Sequence, residues 1–491
     1  MIMKKIIYSF LAIALINSAC QKKVLDLTPK DLLISDLAFS TPEKIENAVM
    51  AGYDGLQDDD FLSGRALVYV DLRGEDVFDR QTYFGTIPRF TVLANSTTIA
   101  DLWTAGYSAI GRANRAMEGV EANADKLDPG KDKELIAECK FVRGVAHFYL
   151  VNFFAQPYVF TADASHIGIP IITQSFVSND PEANQPRASV AEVYNQVIKD
   201  LTEALVDIPE AYTNPDHDKV RGTKAAVASF LSRVYLYMGD FNNAKQYALK
   251  VINGDYGHFE LNAAVDGAFG PGNYQTPETI WSIANNANDN PNTNNSLPMH
   301  YYPEGRGDLP ISNSFLDVAT NPYFALDDKR RDMIIPGVPA TNTQAYKFTR
   351  KYTDISTRAD WAPIIRYAEV LLNYAEAQAR IANDVDADAI AKLNEVRDRA
   401  RVSEPSYTVG SFANKDELIA AILGERRIEL AFEGHRFWDL QRNKLPVTNK
   451  YDSDGTSLLP TQPFGSTKNI FPIPQAEVDK SKGVLEQNKD Y

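Results

Sequence analysis

Apolar residues recur every three or four positions through most of this chain, which is the spacing of the buried stripe of an amphipathic helix. A clear example contains Val190, Val193, Val197 and Leu201. Similar patterns predict helices over residues 41–57, 102–124, 131–154, 189–205, 223–237, 244–251, 363–381, 387–402 and 415–433. The fold is therefore expected to be mainly α-helical.

Capping residues mark the starts of several of these helices. Ser189 and Glu192 have the spacing of a capping box, in which each side chain bonds the other residue's backbone N–H. Asn414 stands in the same relation to Glu417. Thr41, followed by a proline, begins the helix over 41–57. These signals fix the predicted helix starts independently of the apolar spacing.

A short turn containing Gly239 and Asp240 joins the predicted helices 223–237 and 244–251, so these two are expected to form an antiparallel hairpin. Ala244 near the turn faces Tyr235 or Tyr237, and a small side chain there lets the helices approach closely. The unit resembles a tetratricopeptide hairpin, and helix pairs recur along the chain.

Two long stretches, 58–100 and 255–360, lack sustained helical spacing. The first is rich in aromatic residues, and the second holds several glycines, an asparagine-rich run at 285–298 and a strand-like run at Thr279–Ile283. Insertions of this length are usually functional or disordered. Because the second separates the third helix pair from the fourth, the pairs are not expected to form one continuous array. A helical frame with two such segments indicates a binding protein, and mobile loops without a ligand are the alternative.

Residues 1–19 have the pattern of a lipoprotein leader. Lys4 and Lys5 precede an apolar run at 6–16, and Ser18 and Ala19 precede Cys20. The run is too short for a membrane-spanning helix, which needs about twenty residues. Cys20 is thus the predicted lipid acceptor, which would hold the chain on a membrane. An ordinary secretory leader with an incidental cysteine remains the alternative.

The composition excludes some partners and some chemistry. The formal charge is −15, or −17 without Lys4 and Lys5, and so acidic a chain repels nucleic acid. Cys139 is the only cysteine besides Cys20, so once Cys20 is lipidated no intrachain disulfide is possible, and Cys139 is predicted to be a buried, inert thiol.

No catalytic motif stands out. The chain has no HExxH, GxSxG, P-loop or paired CxxC sequence, and its six histidines are not at metal-ligand spacing. Glu425, Glu429 and Glu433 recur on one helix face, as a glycosidase's paired carboxylates might require, but Arg426 and Arg427 lie among them. We interpret this cluster as a structural ion network. Asp452 and Asp454 lack the glutamate that completes a calcium loop and are read as a surface turn.

The segment 425–442, ERRIELAFEGHRFWDLQR, closely resembles a signature of the SusD/RagB outer-membrane lipoproteins. Other motifs resembling that family occur in order along the chain: LDLTP at 25–29, an arginine-led helix from Arg143 running into aromatic residues, a second arginine-led run at 365–377, and FPIP at 471–474. The sequence departs from the family pattern at 155–158, where AQPY replaces the usual GDVP, and at Glu369, where aspartate is usual.

The resemblance implies a single SusD-like domain over 20–491. Its helical scaffold would comprise about 41–254 and 363–440, and its irregular binding segments about 58–100 and 255–360. It also implies a lipid anchor on the outer membrane, exposure at the cell surface, and a TonB-dependent β-barrel transporter of the SusC type as partner. Members of the family capture oligosaccharides, or peptides in the RagB branch, and release them into the barrel. No cofactor, metal or enzymatic activity is implied.

Binding residues have no motif in this family, so we chose candidates by chemistry. Sugars present apolar C–H faces to aromatic rings and hydroxyl groups to amides and arginines. The candidates in the two irregular segments are Arg80, Tyr83, Phe84, Asn95, Asn286, Asn295, Tyr301 and Tyr302. Oligosaccharide capture is the preferred function, and the alternatives are peptide capture, a glycan-cleaving lipoprotein and a pure protein-interaction scaffold.

Overall fold

Long helices form the frame of the protein. The computed structural model describes residues 35–176, 184–340 and 342–491, so the predicted leader and Cys20 lie outside the described residues. The helices are α1 Ser35–Ala38, α2 Pro42–Gln57, α3 Arg65–Arg73, α4 Thr97–Ala122, α5 Lys131–Phe154, α6 Val190–Asp207, α7 Lys224–Met238, α8 Phe241–Ile252, α9 Asn292–Asn295, α10 Leu297–Tyr301, α11 Asn313–Leu316, α12 Tyr367–Ile381, α13 Ala387–Arg397, α14 Lys415–Glu429, α15 Arg436–Arg442 and α16 Gln475–Lys480. Short 3-10 turns lie at Ala124–Lys126, Tyr158–Phe160, Pro215–His217, Lys329–Met333, Val409–Ser411 and Thr467–Asn469. Mainly helical architecture is therefore confirmed.

The predicted caps are present. Ser189 and Glu192 form a reciprocal capping box at the start of α6. Thr41 accepts a hydrogen bond from the backbone N–H of Lys44 at the start of α2. Asn414 accepts from two backbone N–H groups in the first turn of α14, but the capping box is not reciprocal, because Glu417 accepts from the backbone N–H of Ala413 instead.

At two helix boundaries, a neighbouring strand or turn overrides the helical spacing. α12 begins at Tyr367 rather than at residue 363, since Ala362–Arg366 form a strand. α14 ends at Glu429 rather than at residue 433. Phe432 and Gly434 there adopt φ values of 67° and 76°, which a right-handed helix cannot contain.

α3 lies inside a segment predicted to be irregular. Every residue from Ala66 to Arg73 is buried. The helix has only nine residues, which is shorter than the stretch over which helical spacing can be recognised in a sequence. α4 begins five residues before its predicted start, at Thr97. α13 ends at Arg397 rather than at residue 402. The chain makes a turn there, in which the Ala400 N–H donates to the Arg397 carbonyl at 3.0 Å.

The helix pairs form one continuous array in space, which corrects the sequence-based expectation. α2, α4, α5, α6, α7 and α8 pack in chain order, each against the next. α12 then packs directly on α8 and also contacts α13 and α14. Ala244 of α8 is fully buried with Leu236 and Ala377, and Tyr235 packs against this cluster. The insertion therefore leaves the array and returns to it without interrupting its packing.

Two small antiparallel sheets organise the insertion. β1, Thr279–Ile283, pairs with β4, Ala362–Arg366, and both are buried along their whole length. β2, Ile334–Gly337, pairs in register with β3, Tyr346–Thr349. Trp281 of β1 is fully buried, as predicted for this strand. The first sheet brings the two ends of the insertion side by side against the helices.

Cys139 lies in α5 and is 1% exposed. The predicted burial of Cys139 is confirmed, and burial raises the pKa of its thiol, which disfavours the reactive thiolate. Among the described residues, no helix combines the length and apolar character needed to cross a bilayer.

Candidate functional site

The two irregular segments meet at one surface. The Nε of Arg80, in the first segment, donates to the Gly307 carbonyl in the second at 3.0 Å. The rings of Phe84 and His300 lie 5.0 Å apart, centroid to centroid. These contacts bring candidates that are more than 200 residues apart in sequence into one region.

Tyr83 is held at this surface by the backbone around it. The Asp79 carboxylate accepts hydrogen bonds from the backbone N–H groups of Tyr83, Phe84 and Gly85, at 3.0, 2.8 and 3.0 Å. The turn includes Thr82 and Gly85 in the left-handed region, with φ values of 56° and 54°. The closed turn directs the Tyr83 ring outward, and Tyr83 is 36% exposed.

Arg306 lies over that ring. Its guanidinium carbon is 3.9 Å from the centroid of Tyr83, and its Nη1 donates to Asn294 Oδ1 at 3.0 Å. The Tyr83 hydroxyl donates to the Asn294 carbonyl at 3.5 Å. We call Tyr83, Asn294 and Arg306 the Tyr83 patch. It offers an aromatic surface, a guanidinium and an exposed amide within a few ångströms of one another.

The buried carboxylate of Asp308 fixes the position of the Arg306 guanidinium. Asp308 Oδ2 accepts from Arg306 Nε at 2.7 Å and contacts His300 Nδ1 at 2.9 Å. Burial by itself raises the pKa of Asp308, but the hydrogen bonds and charge of His300 and Arg306 outweigh it and lower the pKa below its ordinary value. The carboxylate thus stays ionised and offsets the charge of Arg306.

The structure contradicts two of the predicted ligand contacts. Tyr301 is fully buried, and its hydroxyl donates to Asp71 Oδ2 at 2.5 Å. Phe84 is 7% exposed and packs edge-on against Tyr69. Both rings belong to the core. Phe84 packs against His300 of the second segment, and Tyr301 packs against Tyr352 and Phe432, contacts that the local sequence did not indicate.

Arg80 and Asn295 are also largely buried and hold the segments together. Arg80 donates to the carbonyls of Gly307 and Arg306. Asn295 is 6% exposed, and its Nδ2 donates to Asp59 Oδ2 at 2.6 Å. The structure therefore gives Arg80 and Asn295 a structural role rather than direct contact with a ligand.

The other candidates are more accessible. Tyr302 is half-buried at the end of α10. Asn95 is exposed on the turn before α4, next to Ala94, whose carbonyl accepts from the N–H of Gln475. Asn286 is exposed, and its Oδ1 accepts from the backbone N–H of Asn288, so it shapes its own turn. Their contact with ligand stays a prediction.

Arg306 and Asn294 belong to the patch but were not among the candidates. Asn294 lay in the asparagine-rich run, and nothing in the sequence separated it from its neighbours. Arg306 stands between Gly305 and Gly307, a weak sign of a close backbone approach.

A groove of about 770 Å³ lies between α2 and α4 and is the other candidate surface. Small side chains line it, among them Ala48, Ala51 and Gly111, with Arg112 and Lys44 beside them. The aromatic ring in its lining, Phe39, is only 7% exposed. The groove therefore lacks the accessible ring that favours a sugar, and the Tyr83 patch is the better candidate.

The glutamate cluster is a buried ion network, as interpreted from the sequence. Glu429 is 3% exposed and pairs with Arg366, Arg399 and Arg330 at 3.1, 2.5 and 3.1 Å. Burial by itself raises the pKa of Glu429, but the three guanidinium groups lower it well below its ordinary value. A carboxylate so enclosed has no open face for a substrate.

The neighbouring glutamates are equally enclosed. Arg366 Nε donates to Glu433 at 2.8 Å, and Lys351 donates to the same carboxylate at 2.6 Å. Glu425 accepts from Arg330 at 2.5 Å. These residues tie α14 to β4 and to the insertion, which is a structural role.

Asp452 and Asp454 lie on a surface turn, as predicted. Asp452 pairs with Arg89 at 2.6 Å. Asp454 Oδ1 accepts from the backbone N–H groups of Thr456 and Ser457 at 2.9 and 2.8 Å. Both carboxylates therefore already have partners from the protein.

The chain is similar in sequence to known protein families. A family model described as "SusD family" matches residues 326–491, and one described as "Starch-binding associating with outer membrane" matches residues 24–236. The SusD-like protein P2 of Formosa agariphila is 25% identical over the full length of both chains.

Solved structures agree with the sequence relatives. A SusD superfamily protein from Bacteroides thetaiotaomicron superposes with a TM-score of 0.79 at 23% identity, covering 91% of this chain and 99% of that one. A SusD-like carbohydrate binding protein from Bacteroides vulgatus has a TM-score of 0.74 at 22% identity, covering 90% and 97%. The chain belongs to the SusD/RagB family.

Proposed function

We propose that this protein is a cell-surface lipoprotein that captures oligosaccharides at the Tyr83 patch and passes them to a TonB-dependent transporter. The observation that carries the proposal is the exposed Tyr83 ring with Arg306 fixed 3.9 Å from its centroid. A pyranose would pack its C–H groups against the part of the ring that Arg306 leaves exposed, while the adjacent guanidinium and amide groups bond its hydroxyls. The matched model described as starch-binding, and the carbohydrate-binding title of one structural relative, support this ligand class.

The charges at the patch favour a neutral ligand. Asp308 offsets Arg306 at 2.7 Å, and Asp60 offsets Arg65 at 3.0 Å, where Arg65 contacts the Tyr83 hydroxyl. No net positive charge is left to attract an acidic sugar or phosphate. Neutral oligosaccharides are therefore the expected cargo.

Attachment and delivery are supported by the sequence and the family. The leader motif with Cys20 supports a lipid anchor, and the family match supports the outer membrane as its location. Family membership supports a SusC-type transporter as the proposed partner. Capture is proposed to occur without turnover, since the candidate glutamates are held in buried ion pairs.

The test is calorimetric titration of the protein, without its leader, against neutral, acidic and peptide oligomers. Saturable heat with a neutral glycan class is expected, and Tyr83→Ala should reduce that affinity by about twofold to tenfold, the loss typical of an aromatic contact. Phe160→Ala is the matched control, because Phe160 is 40% exposed but lies outside both irregular segments.

Three results would contradict the proposal. Equal loss in both variants would argue against the patch. Saturation by peptides alone would assign the protein to peptide capture. Continuing heat after saturation would reveal turnover and an enzyme.

A further inference from the structure

The groove between α2 and α4 begins where the described part of the chain begins. Ala38, the last residue of α1, and Phe39 both line it. The Phe39 ring packs on α4, because a Cβ added at Gly119 would overlap that ring. Farther along, the two helices touch, since a Cβ added at Gly55 would lie 2.7 Å from the Cα of Ala109. The groove therefore extends from the first described residues to the point at which α2 and α4 meet.

The floor of the groove is apolar and unfilled. Ala48 and Ala51 line it on the α2 side, and Gly111 and Ala116 line it on the α4 side. A Cβ added at Gly111 would meet no atom within 4 Å. The groove has a volume of about 770 Å³, and no side chain of the described residues fills it. Large aliphatic side chains would gain free energy by entering this space, because burial removes them from water.

A segment with such side chains directly precedes α1. Residues 20–34 lie outside the described residues and join Cys20, the predicted lipid acceptor, to this helix. The last four residues of the segment, 31–34, have the sequence DLLI, so three large aliphatic residues stand in a row. Leu37 of α1 is itself 48% exposed. Apolar side chains are thus concentrated where the chain reaches the groove.

The length of this segment matches the length of the groove. The lining on α2 runs from Lys44 to Ala51, which is eight residues or about 12 Å of helix. Four residues of extended chain span about 13 Å. α1 is a single turn of about 6 Å, so residue 34 lies close to the end of the groove at Phe39. Residues 31–34 are therefore long enough to follow the groove from one end to the other.

The rim of the groove carries positive charge. Its basic residues are Lys44, Arg112 and Arg115, and none of the acidic residues that the structure describes is part of the lining. Arg112 pairs with Asp54, and its Nη1 donates to the Ala51 carbonyl at 3.4 Å, so the guanidinium lies at the end far from α1. A segment that enters from α1 would bring Asp31 to that end, where the positive charge attracts its carboxylate.

We propose that residues 31–34 of this chain dock in the groove, with Leu32, Leu33 and Ile34 against its alanines and Asp31 near Arg112. Because the segment is part of the same chain, its effective concentration at the groove is on the order of millimolar. A second copy of the protein, or another partner, would have to displace it. The groove is thus a binding surface for the protein's own N-terminal segment.

Docking would shorten the connection to the membrane. The fourteen residues 21–34 reach at most about 50 Å from Cys20, whereas the ten residues 21–30 reach at most about 36 Å. With the lipid anchor of the proposed function, the side formed by α2 and α4 would be held closer to the bilayer. Docking itself requires neither lipid nor glycan, so it can fail while the proposed function holds.

The test is disulfide trapping in the chain without its leader. Cys20→Ser removes one thiol, and Cys139, at 1% exposed, does not compete. One cysteine replaces Ala48 in the groove, and a second replaces each of positions 32–34 in turn. At least one pair should form an intrachain disulfide about tenfold faster than the same position paired with Glu43→Cys, because a disulfide needs Cα atoms within about 7 Å. Glu43 is exposed on α2 and does not line the groove.

Filling the groove provides the second measurement. Gly111→Trp should reduce the fast rate to that of the Glu43→Cys pair, and the open space around Gly111 accommodates the new side chain. Gly410→Trp is the matched control, since Gly410 is exposed in the 3-10 turn Val409–Ser411, and it should leave the rate unchanged.

Four results would overturn the proposal. These are equal rates for the Ala48→Cys and Glu43→Cys pairs, a fast rate that survives Gly111→Trp, an equal effect of Gly410→Trp, and disulfides that link two chains, which would assign the groove to a second copy. If Gly111→Trp does not fold, the contrast between Ala48→Cys and Glu43→Cys decides the matter.

Discussion

The guanidinium carbon of Arg306 lies 3.9 Å from the centre of the Tyr83 ring, while Asp308 and Asn294 bind the same guanidinium from two sides. The arginine is thus fixed before any ligand arrives, so little side-chain entropy remains to be lost on binding. The pair acts as one preorganised surface.

Arg306→Ala should therefore weaken oligosaccharide binding about fivefold to tenfold, because it removes hydrogen-bond donors beside the ring. Titration calorimetry with the preferred glycan measures the change. Arg350→Ala is the control: Arg350 lies in the same irregular segment, and its side chain is 47% exposed. A similar loss in both variants would contradict a specific role for Arg306.

Tyr301→Phe should lower stability and leave glycan affinity unchanged. The change removes the hydroxyl that donates to buried Asp71 and leaves a polar oxygen unsatisfied, at a cost of about 1–3 kcal/mol. Urea unfolding measures the cost, and calorimetry checks the affinity. A large loss of glycan affinity without a loss of stability would instead indicate that Tyr301 contacts the ligand.

Glu429→Ala should unfold the protein at lower denaturant rather than abolish a reaction. Three arginines pair with this carboxylate, and removing one partner of a buried ion network costs about 3–5 kcal/mol. Exposed Glu304→Ala serves as the control for urea unfolding. Unchanged stability together with a lost hydrolytic activity would favour the glycan-cleaving alternative.

The Arg233–Glu369 pair predicts a loss of stability in acid. Burial by itself raises the pKa of Glu369, but the adjacent guanidinium lowers it to about 2. Because the folded-state pKa is depressed, the pair's contribution is complete above the unfolded pKa of about 4.3 and is lost as pH falls toward 2.

The contribution is on the order of 3 kcal/mol. Glu369→Gln tests it through unfolding free energies measured between pH 2 and pH 7. The difference between wild type and variant should be largest at pH 7 and shrink below about pH 4.5. A difference independent of pH would show that the ionised carboxylate is not what stabilises the fold.

Gly434→Ala should be markedly destabilising. Gly434 has a φ of 76°, and an added Cβ would lie 3.0 Å from the Leu67 backbone, so backbone strain and crowding combine to about 2–4 kcal/mol. Gly272→Ala separates the two effects, since Gly272 has a φ of 88° and open space around it. Equal melting temperatures for the two variants would mean that crowding contributes nothing.

Much of the helical frame could be predicted because its signals are local. The capping box at Ser189 and the Gly239 turn depend on residues close in sequence, and the structure contains both. α3 was not predicted, since its nine residues are too few for helical spacing to stand out. β4 was not predicted either, because its strand conformation depends on pairing with β1, which lies about eighty residues earlier in the sequence.

The candidate site was predictable only as a region. Tyr83 and Tyr301 are both tyrosines in aromatic loops, yet one is 36% exposed and the other is fully buried. What separates them is packing between segments far apart in sequence, and no local pattern reports it. Arg306 became visible only through its position over Tyr83.

The pairing of β1 with β4 fastens together the two ends of the insertion between them. The cost of closing a loop rises only with the logarithm of its length, so a stretch fastened in this way tolerates added or deleted residues with little penalty to the helices beneath. Related proteins built on the same scaffold can therefore diverge in this stretch and change their ligand specificity, while the helical frame that supports it stays the same.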